Sequence, residues 1–431
     1  MILPLLAALQ VAMAQDSVPT VTLAEALEKA ARLDPSYVAA AGQVNNAEWA
    51  RRAAFAVFIV PAITLSANQT HYWPPTFNFV TFTATAPNTY AATITASLDV
   101  FTGGQKIAGL ASSGAALESA RSGELQARLT TAMNTESDFY SVLAQRALER
   151  VAEDRLHRAE QQFAVARARV TSGAAVQTDS LQLLLELGQA RVALLQQQSA
   201  LRAAQLQLGR RIGLPGPADA EPVLDDSTTM RMLPFAVPDA VARALSQGPA
   251  WRIARANERA ASAQLRARRG DYLPRASLDF TGGAFSTSGF YPDQLKRSTL
   301  SLTVTFPLWN NGQREIQLSQ ARVNRDVARA IRADLERSAL HDVTAAYDAY
   351  ETSRATVALQ QSAVLVAREN NRVQETRYRA GATTILDLLD AQNRLVGAEA
   401  DLVQALYNTR RARAGLEVIL GERINFDRNP Q

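Results

Sequence analysis

The sequence predicts an α+β membrane protein with two internal direct repeats, each carrying amphipathic strands and a pair of very long helices. Three observations predict it. Landmarks recur at one constant spacing, four segments alternate strictly between apolar and polar residues, and two stretches run without proline far beyond the length of a globular helix.

The corner Phe101-Thr102-Gly103-Gly104-Gln105-Lys106 returns as Trp309-Asn310-Asn311-Gly312-Gln313-Arg314, an offset of 208 (312 − 104). Gly173 and Gly381, Asp179 and Asp387, and Gly213 and Gly421 keep the same offset. The N-terminal parts match more loosely. Thr22-Leu23-Ala24-Glu25-Ala26-Leu27 leads to Asp34-Pro35, and the helical pattern from Pro238 to Leu245 leads to Gly248-Pro249. The expected organisation is a signal peptide at 1–14, a first repeat at 15–211, a linker at 212–237, a second repeat at 238–422 and a tail at 423–431.

Taken in order, Met1–Leu9 reads as the apolar core of a secretory signal, and Ala12-Met13-Ala14 as its small-x-small cleavage site before Gln15. The positive n-region that usually precedes such a core is missing. Each repeat then reads as a helix, two strands and two long helices. The strands are expected at about 62–71 and 91–101, and again at about 275–284 and 298–308. Ile63-Thr64-Leu65-Ser66-Ala67-Asn68 and Leu300-Ser301-Leu302-Thr303-Val304-Thr305-Phe306 show the alternation most cleanly. Period two puts one face in an apolar medium and the other in water.

A half-buried soluble sheet gives the same pattern, so length and context decide. The runs extend to about 9–11 residues, the span of a tilted membrane strand. Their polar positions are Thr, Ser, Asn and Asp, suited to a wet lumen. Trp73, Tyr90, Phe101 and Trp309 sit near the ends, as an interfacial girdle requires. Four strands cannot close a barrel, because membrane barrels begin at about eight, and an open edge in lipid leaves backbone groups unsatisfied. The barrel must be shared, and three copies would supply twelve strands.

The helix pairs are expected at 104–211 and 312–420. At 1.5 Å per residue, the first helix of a pair would be roughly 100 Å long. Small residues such as Ala111, Ala115, Ala116 and Ala120 recur on its faces and permit the close packing of a cylinder wall.

The chain has 431 residues, 47% of them apolar but only 6% aromatic, and a formal charge of +4. The positive charge is almost all arginine scattered among acidic residues, without the basic cluster of a nucleic-acid footprint, so no nucleic-acid partner is expected. No cysteine is present, which excludes disulfides, thiolate metal sites and a cysteine nucleophile. His71, His157 and His341 are far apart, and no nucleophile elbow occurs. Gly103-Gly104 lacks the dinucleotide and P-loop patterns. No catalytic residue, metal site or cofactor is expected.

These landmarks resemble the TolC family of outer-membrane efflux proteins over nearly the whole mature chain. The second tip, Tyr378-Arg379-Ala380-Gly381-Ala382-Thr383-Thr384-Ile385-Leu386-Asp387-Leu388-Leu389-Asp390-Ala391, is especially characteristic. The resemblance implies a homotrimer in the outer membrane. Its shared twelve-stranded transmembrane β-barrel would continue into a twelve-helix periplasmic α-barrel, with 212–237 in an equatorial belt. It would serve as the passive exit duct of a tripartite efflux or type I secretion system. Tips around Gly173 and Gly381 would dock on a periplasmic membrane-fusion adaptor, which connects to an inner-membrane transporter of the RND, ABC or MFS class.

By the same resemblance, Asp387 and Asp390 line a constriction. Their i, i+3 spacing shares one helix face, and threefold symmetry would give six carboxylates whose crowding should raise some of their pKa values. The other reading of Asp387 is an acidic residue favoured by the helix dipole. Thr178 and Asp179 match the first tip and Tyr378 a latch residue, so a Tyr378–Asp179 hydrogen bond is expected to hold the tip closed. The family's latch can include a basic residue near 383, where this chain has Thr383; Arg377 or Arg379 could substitute. The rival reading is a long-helix periplasmic adaptor or structural protein without a pore. The cargo is not readable.

Overall fold

The computed structural model describes residues 18–74, 77–78, 83–84, 86–173, 176–222, 231–287, 289, 295–424 and 426. The expected signal peptide lies outside them. Two compact units emerge. One comprises Met1–Ala40, Glu124–Pro249 and Ser338–Gln431; the other comprises Ala41–Gly123 and Ala250–Arg337. No described helix is long and apolar enough to cross a membrane.

The elements run β1 (Thr20–Val21), α1 (Leu23–Leu33), α2 (Pro35–Ala56), β2 (Ala62–His71), β3 (Phe77–Asn78), β4 (Thr83–Ala84), β5 (Asn88–Thr102), α3 (Gln105–Thr171) and α4 (Gln177–Arg211). They continue β6 (Asp219–Ala220), α5 (Val237–Gln247), α6 (Pro249–Arg269), β7 (Arg275–Ser286), β8 (Leu295–Thr305), α7 (Gln313–Arg379) and α8 (Ile385–Leu420).

The single leading helix expected in each half is in fact two. Proline at 35 and 249 disfavours the helical region for the residue before it. Asp34 accordingly sits at φ −66°, ψ 119°, and Gly248 at φ −55°, ψ 132°. The Asp34 carboxylate then accepts from Ser36 N at 2.8 Å and Tyr37 N at 3.3 Å, satisfying donors at the start of α2. Thr22 and Glu25 close a reciprocal capping box on α1.

In the strand-bearing unit, β2, β5, β7 and β8 form one antiparallel sheet in that order. Its register puts Ile63, Ala96, Phe280 and Leu300 in one row and Leu98, Leu278 and Leu302 in the next, all on one face. The opposite face carries the row Thr64, Thr95, Thr281 and Thr299. There Asp279 accepts from Ser97 Oγ at 2.6 Å and Ser277 Oγ at 2.7 Å. β8 ends at Thr305 rather than near 308, because Pro307 has no N–H to pair. β5 is longer than expected and carries a bulge between Asp99 and Phe101. Gly103, at φ 60°, closes the following corner. A Cβ there would stand 2.3 Å from the Gly270 carbonyl oxygen, so only glycine fits.

Two of the apolar clusters in the helical unit are related by the repeat. One groups Phe139, Val142, Leu208 and Ile212 with Val21 and Ala220. The other groups Val343, Tyr350, Leu416 and Leu420 with Leu233 and Ala240. Val142 and Tyr350, Leu208 and Leu416, and Ile212 and Leu420 are each 208 positions apart (350 − 142, 416 − 208, 420 − 212). Each fully buried leucine contributes about 1.5–3 kcal/mol. The parallel pairing of β1 with β6 lies beside the first cluster.

Candidate functional site

Two helical turns in the helical unit hold the expected site residues. Gly173 (φ 75°) follows α3 and Gly381 (φ 72°) follows α7, each in the left-handed conformation that ends a helix. Beneath the turns, Tyr378, Ile385 and Leu388 pack with Ala166 and Leu183, so side chains of all four long helices meet there.

Asp387 is the third residue of α8. It makes a reciprocal capping box with Thr384: Asp387 N donates to Thr384 Oγ1 at 3.2 Å, and Thr384 N to Asp387 Oδ2 at 3.2 Å. The same carboxylate accepts from Thr384 Oγ1 at 2.7 Å and Thr383 Oγ1 at 2.9 Å. These bonds, with Thr384 first, hold the Asp387 carboxyl below the usual range. The upward shift expected of six crowded carboxylates belongs to a trimer; within one chain, hydrogen bonds to the charged form and the nearby Arg377 charge act on Asp387 in the opposite direction. Asp390 pairs with Arg394 at 2.8 Å, one turn along.

The Tyr378–Asp179 hydrogen bond is not formed. The Tyr378 hydroxyl is buried and makes no hydrogen bond. Burial first, and the Asp179 charge second, push its pKa up. What holds Tyr378 is Arg169. Its Nη1 donates to the Tyr378 carbonyl oxygen at 3.0 Å, and its guanidinium lies 5.4 Å from the ring centroid. Arg377 donates weakly to the Ala382 oxygen at 3.5 Å, and Arg379 pairs with Glu375. The Arg377 charge also helps to lower the Asp387 pKa. Thr178 is exposed at the start of α4.

The second functional surface is the apolar face of the sheet. Ile63 (65%), Leu65 (75%), Leu300 (67%) and Leu302 (66%) are exposed on the chain by itself, the kind of apolar patch that marks a protein or membrane contact. At the helix-proximal ends of the strands stand exposed Phe101, Leu273, Phe306 and Trp309. The described residues include no group of three or more His, Cys, Asp or Glu that could hold a metal ion.

The profile of the family described as outer membrane efflux protein matches residues 26–214 and 240–422. The probable efflux pump outer membrane protein TtgC of Pseudomonas putida is 27% identical over 316 residues, covering 71% of this chain and 63% of that protein. Protein CyaE of Bordetella pertussis is 30% identical over 210 residues, covering 48% of this chain and 42% of that protein. The matches thus span less than two thirds of these relatives. Among solved structures, CusC superposes with a TM-score of 0.80 at 18% identity, covering 93% of this chain and 92% of that one. VceC of Vibrio cholerae gives 0.76 at 18% identity over 94% and 97%. These two share the fold. With the profile covering both halves of the chain, this is an outer-membrane protein that belongs to the outer membrane efflux protein family, the TolC-like channels.

Proposed function

We propose that the chain is one protomer of a passive trimeric exit duct for efflux or type I secretion. The observation that carries this reading is the sheet. It presents one apolar exposed face, one hydroxyl-rich face and two unpaired edge strands, β2 and β8. In lipid, such edges must pair. Joining β8 of one copy to β2 of the next closes a barrel, and three copies give twelve strands with lipid outside and threonines inside. Residues 15–211 and 238–422 would be two repeats joined by the 212–237 linker, their long helices forming a periplasmic barrel of twelve.

Energy and cargo selection would come from partners: a periplasmic membrane-fusion adaptor docking at the Gly173 and Gly381 tips, and an inner-membrane RND, ABC or MFS transporter. Asp387 and Asp390, with Tyr378, Asp179 and Thr178, would form the gate. Both aspartates are exposed, so each could contribute charge to a pore without losing its local partner. The test is single-channel conductance of the detergent-extracted protein in a planar bilayer. A cation-preferring channel from a trimer is expected. A soluble monomer, or no insertion, overturns the duct.

A further inference from the structure

We propose that the groove between α2 and α3, just below the strands, binds the headgroup of an anionic phospholipid. It rests on the apolar sheet face lying in lipid, and adds to that reading a specific site beside it.

The groove has a volume of about 720 Å³, within the range of small-molecule sites and enough for a headgroup. Leu110, Gly114 and Leu117 from α3 and Phe55 from α2 supply its apolar wall, and Arg51, Arg52 and Arg121 its charge. Arg121 is paired with Glu48 at 2.9 Å. Arg51 and Arg52 have no carboxylate partner among the described residues. Arg52 lies 5.1 Å from the ring centroid of Trp49, which is 68% exposed. Unpaired guanidiniums beside an exposed indole suit a phosphate at a membrane interface.

Continuity with the membrane face decides for a lipid over a soluble anion. After α2 ends at Ala56, Val57, Phe58, Ile59 and Val60 are all exposed. They are held in a turn by bonds from Phe58 N to Phe55 O (3.1 Å) and Val60 N to Ala56 O (2.8 Å). Lys106 Nζ ties this turn to the start of α3, donating to Val57 O at 2.8 Å and also to Asp99 O. β2 begins at Ala62 and carries the exposed Ile63 and Leu65. Exposed apolar residues thus recur from Phe55 through Leu65, from the end of α2 into the sheet. Arg51 and Arg52 precede Ala56 by four or five residues, on the order of 6–8 Å of helix rise. The polar zone on each side of a bilayer is about 5–8 Å deep, so the two charges fall at headgroup depth.

The test is native mass spectrometry of the delipidated, detergent-solubilised protein with dioleoyl phosphatidylglycerol or dioleoyl phosphatidylcholine. Wild type and a distant control, R202Q, are expected to retain the anionic lipid at least fivefold over the zwitterionic one. R51Q/R52Q is expected to lose that preference while keeping its oligomeric state. Equal retention of both lipids by wild type, or an unchanged preference in R51Q/R52Q, overturns the site. Complete displacement by 10 mM inorganic phosphate makes it a free-anion site and also overturns it. Loss of the oligomer in R51Q/R52Q assigns the groove to a second copy of this chain instead. Recovery of wild type without detergent overturns the membrane reading itself, a failure separate from these lipid comparisons.

Discussion

Arg169 and Tyr378 stand 209 positions apart in the chain, yet the guanidinium of one both donates to the backbone oxygen and lies over the ring of the other. This contact joins the end of α3 to the end of α7, so the two helical turns are coupled within one chain.

Arg169→Ala is expected to loosen that junction. A cation–π contact and a hydrogen bond to a charged donor together contribute about 1–3 kcal/mol at a partly buried site. Hydrogen exchange of the amides at 376–382 should accelerate roughly 5- to 150-fold, with little change in α1 or α5. Unchanged exchange would show that the contact holds nothing.

Tyr378→Phe should be nearly silent. Its hydroxyl has no partner, so deleting it removes a buried unsatisfied group at no cost in contacts. Stability within about 1 kcal/mol of wild type and unchanged conductance are expected. Tyr378→Ala, in contrast, should cost about 3–5 kcal/mol, because the ring fills the tip cluster. A conductance change in Tyr378→Phe would mean that the hydroxyl finds Asp179 in the assembled duct.

Thr384→Ala should weaken the start of α8 by about 1 kcal/mol, the usual magnitude for an N-cap. The pH dependence has a defined sign. Asp387 is held below its ordinary value of 3.8 by the Thr384 and Thr383 bonds. Its contribution is therefore complete above that value and is lost as pH falls through the lower folded value. Protection at 384–388, relative to the intrinsic exchange rate at each pH, should fall below about pH 4 in wild type and be less pH-dependent in Asp387→Asn. An opposite trend would require a raised carboxyl.

On the sheet, Leu302→Lys and Thr303→Lys place the same charge on opposite faces. Leu302 is on the apolar face and 66% exposed. A lysine there should cost about 2–4 kcal/mol in the bilayer, reducing assembled protein in outer-membrane fractions, whereas Thr303→Lys should assemble normally. Equal yields would remove the lipid-facing assignment.

Much of the architecture could be read directly from short-range pattern. Alternation over ten residues marks the two faces of a strand, because successive side chains must point to opposite sides. The Asp34-Pro35 pair marks a backbone break just as locally, and the structure makes it the junction of α1 and α2. The Thr384-x-x-Asp387 spacing is a capping box on its face, and it explains the Asp387 hydrogen bonds without any gate. Such features depend only on neighbours within one turn or one strand.

Arg169 could not be found in this way. One arginine among many on α3 has no local mark, and its partner is chosen by how α3 and α7 pack. The same holds for β1, which pairs with β6 across most of the first half of the chain. The free hydroxyl of Tyr378 depends likewise on which helix faces meet beneath the tips. Local pattern decides which residues form helices and strands and which face each side chain takes; side-chain partners distant in the chain are decided only when the helices pack.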